Sequence, residues 1–151
     1  MTASPTQPRL AVVVSRFNPE VTDGLLAGTR RELQERGVPL AEADIFPAPG
    51  AFEIPLLAKA LAETGRYAGV VCLGCVIKGD TAHFEFISLG AATGLMQATL
   101  ATGVPITFGI LTTYTDEQAL FRSRDDAANK GREAAAACLE ALATLAMIRA
   151  A

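Results

Sequence analysis

The sequence has one histidine, His83, and three cysteines, Cys72, Cys75 and Cys138. Structural zinc takes four ligands and catalytic zinc three plus water. A chain with no second cysteine pair and no carboxylate cluster beside its histidine is not built for a metal. Cys72 and Cys75 form a C-x-x-C. A redox pair of that kind belongs at a helix start, where the dipole lowers a thiol pKa. Here it lies in an apolar run that reads as a strand, with residues three apart on opposite faces, so buried small hydrophobes are the better reading. Basic charge is also short: 13 Lys and Arg stand against 16 Asp and Glu, net −3. That argues against nucleic acid or an anionic membrane as the main partner. No apolar run reaches the length of a membrane span. Neither G-x-G-x-x-G after the first strand nor G-x-x-x-x-G-K-[ST] occurs, which removes the dinucleotide and nucleoside-triphosphate signatures. Residues 1–8 have no charged start and no apolar core, so they do not read as a secretory signal. They are expected to form a flexible arm ahead of a single domain over residues 9–151, with the cytoplasm as the expected location.

Half of the 151 residues are hydrophobic, enough for a real core. Residues 10–14 are a short apolar run, the pattern of a strand buried on both faces. Asn18-Pro19-Glu20 reads as a cap, a first-turn proline and a first-turn acid. Val21, Leu25, Thr29 and Leu33 then recur at helical spacing as far as Gly37. Residues 43–46 predict a second strand, 47–50 a rigid turn, and a helix runs from about Phe52 to Gly65. Residues 69–77 form the most hydrophobic strand, followed by a predicted helix over 81–101. Residues 104–111 predict the fourth strand, and Thr115 opens a short helix to Arg122. The last helix is expected from near Asp125 to about Ile148, with Ala134, Ala137, Cys138, Ala141, Leu142 and Leu145 inward. Alternating strands and helices make a parallel sheet with crossovers. The expected fold is α/β, a flavodoxin-like three-layer αβα sandwich on a four-stranded parallel sheet. The helix after the third strand carries two apolar stripes: Phe84, Ile87, Ala91, Leu95 and Ala98, and Leu89, Ala92, Met96 and Leu100. One sheet face does not cover both, so the second is buried either by a partner subunit or deep within the chain.

The chemistry concentrates where the third strand breaks, at Gly74-Cys75-Val76-Ile77-Lys78-Gly79-Asp80-Thr81-Ala82-His83-Phe84-Glu85. Asp80 and Thr81 are cap-type residues. A strand-to-helix turn points backbone N–H groups above the carboxyl end of the sheet, where open α/β sheets bind ligands and where the helix dipole favours an anion such as phosphate. His83, able to move protons near neutral pH, stands just inside. In a parallel sheet the other strand ends meet the same edge: Arg16, Phe17 and Asn18; Ala51, Phe52 and Glu53; and the residues from Phe108 to Thr113. Two aromatic rings, a carboxylate, a histidine and an anion-type turn suit a flat, polar, phosphorylated ligand.

Five pieces of the chain, in order and in register, carry a resemblance: Ser15-Arg16-Phe17-Asn18, Pro49-Gly50-Ala51-Phe52-Glu53-Ile54-Pro55, the segment from Leu73 to Glu85, Phe108-Gly109-Ile110-Leu111-Thr112-Thr113, and Asn129-Lys130-Gly131. Together they resemble the lumazine synthase family of riboflavin biosynthesis. The resemblance implies condensation of 5-amino-6-(D-ribitylamino)uracil with 3,4-dihydroxy-2-butanone 4-phosphate to 6,7-dimethyl-8-ribityllumazine, with loss of phosphate and water. It implies no metal and no organic cofactor. It implies a homo-oligomer, a pentamer or an assembly of pentamers with sites between neighbours, and riboflavin synthase as a candidate partner.

Roles follow by position. The resemblance implies that Phe17 stacks on the pyrimidinedione, that Ala51 and Phe52 line its pocket, and that Glu53 accepts from ribityl hydroxyls. Cys75, Val76 and Ile77 meet the ring edge through backbone groups. Asp80 and Thr81 hold the phosphate through backbone N–H groups, the Asp80 carboxylate turning away to cap the helix. Arg122 and Lys130 add positive charge, and with Phe108 they come from the adjacent subunit. His83 moves protons. Two departures stand out: Gly90 where the family usually has a glutamate, and Phe121-Arg122-Ser123-Arg124-Asp125-Asp126 around the phosphate arginine. Arg124 therefore competes with Arg122, which the spacing to Lys130 favours. An archaeal-type riboflavin synthase, or a non-catalytic flavin-binding or shell protein, remains an alternative. His83, Glu53 and Arg122 together argue against a pure scaffold.

Overall fold

The structure, a computed structural model, describes residues 7–151; most of the expected N-terminal arm, residues 1–6, lies outside the described residues. Strand β1 (Leu10–Ser15) leads to α1 (Pro19–Glu35), β2 (Ile45–Ala48), α2 (Ile54–Glu63), β3 (Gly69–Ile77), α3 (His83–Thr102), β4 (Ile106–Thr113), α4 (Asp116–Phe121) and α5 (Lys130–Ala150). Single 3₁₀ turns at Glu42–Asp44 and Ala51–Glu53 precede β2 and α2. The sheet is parallel in the order β2-β1-β3-β4. This is the flavodoxin-like order without a fifth strand.

Alternation along the strands builds two cores. Ala11, Val13, Val70 and Cys72 pack against α2 and α3 through Ile54, Ala58, Ala91 and Leu95. Leu10, Val12, Val71, Leu73 and Cys75 pack against α1 and α5 through Val21, Leu25, Ala134 and Cys138. Cys72 and Cys75 thus fall on opposite faces, as strand geometry requires.

Several local expectations are corrected. β2 starts at Ile45 and includes Pro47, expected in a turn; an edge strand has only one ladder, so a residue without an N–H is tolerated there. Asn18 was expected to cap α1, but it adopts a left-handed conformation at φ 56° and makes no side-chain cap bond. Its amide instead donates to the Cys75 carbonyl at 3.1 Å. α5 begins at Lys130 rather than Asp125 because the Asn129 side chain caps it, accepting from Gly131 N and Arg132 N. Ala137, expected inward, is exposed, and Ala135 is buried in its place. On α3 the first stripe is buried at Ala91, Leu95 and Ala98, whereas Leu89, Met96 and Leu100 are 60–77% exposed and Phe86 joins them. Burial deep within the chain is therefore excluded for the second stripe. Among the described residues no helix is long and apolar enough to cross a membrane.

The amino end of the sheet is pinned by Asp44. It is 4% exposed, accepts from Arg9 at 2.8 and 3.4 Å and from the Tyr67 hydroxyl at 2.9 Å. The Arg9 hydrogen bond, with help from Tyr67, lowers the Asp44 pKa against the opposing effect of burial. A carboxyl group with a lowered native pKa stabilises above its unfolded pKa and loses that contribution as pH falls through the native one. Asp44→Asn is expected to cost about 1.5–3 kcal/mol near neutral pH, the range for hydrogen bonds to a charged group. In thermal unfolding followed against pH, its deficit from wild type should shrink below about pH 4.

Candidate active site

β3 outruns β1. Its pairing with β1 stops at Val14 and Leu73, while its pairing with β4 continues to Ile77 and Thr113. Residues 74–77 therefore have a strand on one side only. Backbone groups of successive residues point to alternate sides. The Cys75 carbonyl on the open side is taken by Asn18, and Lys78 N, on the other, donates to Thr113 O at 2.9 Å. By the same alternation the N–H and C=O of Ile77 face the open side.

That open side is a cleft of about 610 Å³. It brings together Phe17, Ala51, Phe52, Glu53, Cys75, Val76, Ile77 and His83. Phe17 and Phe52 are 69% and 59% exposed, unusual for free phenyl rings and suited to a planar guest. Each is placed by local structure. Phe17 sits in the bend between Ser15 and Asn18, its N–H donating to Ser15 Oγ. The 3₁₀ turn at Ala51–Glu53 presents Phe52 and Glu53. The Phe52 ring rests on α3, where a Cβ at Gly90 would approach it to 2.8 Å; a larger residue at position 90 is incompatible with this ring position. Asn18, expected at this edge beside Phe17, also lines the cleft, as do Ile87 and Asp116, which the strand ends do not predict. Asp116 opens a short helix and gave no signal beyond an ordinary first-turn acid.

The turn after β3 differs in detail from expectation. α3 is capped at Ala82, with no side-chain cap bond, so the Asp80 carboxylate is not the cap. Thr81 Oγ1 accepts from His83 N, the first residue of the helix, at 3.3 Å. Asp80 and Thr81 line neither this cleft nor the one described next; they are exposed, and their N–H groups donate to no backbone carbonyl among the described residues.

Phe108, Arg122 and Lys130 lie elsewhere, in a second cleft of about 290 Å³ against β4 that also has Thr112 and Glu133 in its wall. No residue lines both clefts. Phe108 was expected near a carboxyl strand end, but β4 starts at Ile106, after Pro105, and Phe108 pairs with Cys72 well below that edge. Arg122 donates to Gln118 O at 3.0 Å. Lys130 pairs with Glu133 at 3.0 Å. Arg124 lines neither cleft: its guanidinium lies 4.2 Å from the Phe121 ring centroid and 3.5 Å from Asp126. Among the described residues no three His, Cys, Asp or Glu side chains gather as a metal site.

A doubly wound sheet with its cleft beyond β1 and β3, where the strand order reverses, defines a flavodoxin-like α/β protein whose cleft lies at the topological switch point. Residues 7–146 match the family described as 6,7-dimethyl-8-ribityllumazine synthase. The chain is 68% identical over 145 residues to "6,7-dimethyl-8-ribityllumazine synthase 1" of Caulobacter vibrioides, covering 96% of this chain and 95% of that protein. It is 49% identical to a 6,7-dimethyl-8-ribityllumazine synthase of Salinibacter ruber, over 91% of this chain and 87% of that one. A namesake from Deinococcus radiodurans is 48% identical over 87% and 85%. The chain belongs to the 6,7-dimethyl-8-ribityllumazine synthase family.

All three thiols are free and buried. Burial pushes the Cys75 thiol up to about 12, with the Glu20 and Asp116 carboxylates adding to it, and the Cys138 thiol likewise up to about 12. Burial raises Cys72 further still. Because the thiolate is the reactive form, an aromatic disulfide reagent at pH 8 is expected to label the folded protein slowly at all three positions and rapidly only after denaturant is added. Fast labelling of Cys75 in the native protein would show its surroundings to be different.

Proposed function

We propose that this chain condenses 5-amino-6-(D-ribitylamino)uracil with 3,4-dihydroxy-2-butanone 4-phosphate to 6,7-dimethyl-8-ribityllumazine, releasing phosphate and water, as a transferase of riboflavin biosynthesis acting in the cytoplasm. Residues 9–151 serve as one domain. The observation that carries the reading is the first cleft, where two exposed phenyl rings, Glu53, the open edge of β3 at its carboxyl end and His83 converge.

In this reading the uracil stacks on Phe17, with Ala51 and Phe52 beside it. Cys75, Val76 and Ile77 offer the ring edge, through the open backbone groups of Ile77, and Glu53 accepts from the ribityl hydroxyls. The N–H groups of Asp80 and Thr81, ahead of α3, take the phosphate. Arg122 supplies a fork for its oxygens and Lys130 a point charge; the lining of the second cleft favours Arg122 over Arg124. The 5-amine attacks the ketone, the adduct loses water, and phosphate leaves as an enol forms. The ribityl-bearing nitrogen then closes the second ring with loss of another water. His83 passes the protons.

Neighbouring subunits complete the site, Phe108, Arg122 and Lys130 of one chain facing the aromatic cleft of the next in a pentamer. Two observations support this: the clefts share no residue, and Leu89, Met96 and Leu100 of α3 stand uncovered. Light scattering is expected to give the mass of a pentamer or a multiple of it; a monomer would contradict this reading.

The test of function is an assay with both substrates, following phosphate release and lumazine absorbance. Lumazine formation supports the proposal. Riboflavin formed from the lumazine alone would favour a riboflavin synthase, and no turnover a binding protein. General acid–base help is typically worth about 10²–10⁴-fold and positioning of two reactants more. His83→Ala is therefore expected to turn over roughly 10²-fold more slowly yet measurably; total loss with intact binding would give His83 a larger share.

A further inference from the structure

We infer that Asn129 is the positioning residue that sets where Arg122 and Lys130 stand. The inference rests on the reading of those two cations as phosphate ligands. Asn129 is 1% exposed and every polar position of its amide is used. Its Oδ1 accepts from Gly131 N at 2.8 Å and Arg132 N at 3.2 Å. Its Nδ2 donates to Arg124 O at 2.8 Å and to Gly24 O, on α1, at 3.1 Å. Two N–H groups meet the oxygen and two carbonyls meet the nitrogen, which fixes the orientation of the amide.

These bonds tie three pieces at one point: the first turn of α5, the loop after α4, and α1. The two cations flank that loop and are joined directly, Lys130 N donating to Arg122 O at 2.8 Å. Other bonds join α1 to the same region, Thr29 Oγ1 donating to Gly131 O at 3.0 Å and Arg31 pairing with Asp125 at 2.7 Å, but Asn129 is the residue before Lys130 and its one side chain reaches α1, the loop and α5 together. The helix itself is shaped to receive it. A Cβ at Gly28 would collide with the Asn129 amide, one at Gly24 with the Ser123 carbonyl, and one at Gly131 with the Leu25 carbonyl. Three glycines at these contacts let the loop and α5 sit directly on the α1 backbone. A cap alone would need only Oδ1; the two donations by Nδ2 have no part in capping and join the loop, at Arg124 O, to α1, at Gly24 O.

The test separates those two halves of the side chain. Asn129→Asp and Asn129→Ser both keep an oxygen that caps α5 and lose the donations to Arg124 O and Gly24 O. With the assembled protein and both substrates, each variant is expected to raise KM for the butanone phosphate about 10- to 100-fold, the scale a displacement of order 1 Å produces. KM for the ribitylaminouracil should stay within about twofold, since Asn129 touches nothing in the aromatic cleft. Arg122→Ala, run beside them, is expected to raise the same KM. If Arg122→Ala raises it and neither Asn129 variant does, Asn129 has no positioning role. A fall in kcat with both KM values unchanged, or two variants that do not fold, would mark a residue of stability only and also overturn the inference. If Arg122→Ala leaves KM unchanged, the phosphate reading of Arg122 fails, and this inference with it.

Discussion

The site depends on the length of β3. A central strand that stopped level with its neighbours would have both ladders filled and nothing to offer a ligand. β3 is held by β4 through Ile77 but released by β1 after Leu73, so it stays rigid while one edge opens. The overhang is a sheet edge of only a few residues, too short to invite another strand, and Asn18 closes its first carbonyl. Hydrogen-bonding groups fixed in place before a ligand arrives lose little on binding.

The same overhang explains why the cleft is aromatic rather than charged. Phe17 follows the end of β1 and Phe52 precedes α2, so both rings flank the space that β1 fails to cover. Gly90 lets the second ring settle on α3. In the proposed reading the charged half of the chemistry falls to the second cleft, against β4, where Arg122 and Lys130 border a loop bonded to α1 through Asn129. Lumazine formation joins an uncharged aromatic reactant to a doubly charged phosphoester. Housing the two recognition elements on separate clefts fits that division if adjacent chains bring them together.

Much of this was legible in the sequence. Apolar runs and helix punctuation gave the element order, and β3 was bounded at Gly69 and Ile77 as observed. The aromatic cleft followed from the shared carboxyl edge of a parallel sheet. What was not legible depended on contacts between distant segments. Asn18 looked like a helix cap, yet a carbonyl on β3 takes its amide. Asp125 looked like a helix start, yet Asn129 wins because α1 offers it a carbonyl and room made by glycines. Phe108 was misplaced because a period of two carries no phase: the strand started two residues later, beyond Pro105, and moved the ring away from the edge. Asp80 and Thr81 are both cap-type residues, yet the cap position of α3 falls one residue later, at Ala82.

The most direct measurement is subunit complementation. His83→Ala has a damaged aromatic cleft and an intact cationic one; Arg122→Ala has the reverse. Unfolded together in equal amounts and reassembled, the mixture is expected to recover about a quarter of wild-type turnover, the share of head-to-tail interfaces that join two intact halves. Activity no higher than the mean of the two variants assembled separately would mean that both halves of each site belong to one chain, and would contradict the division of the site described here.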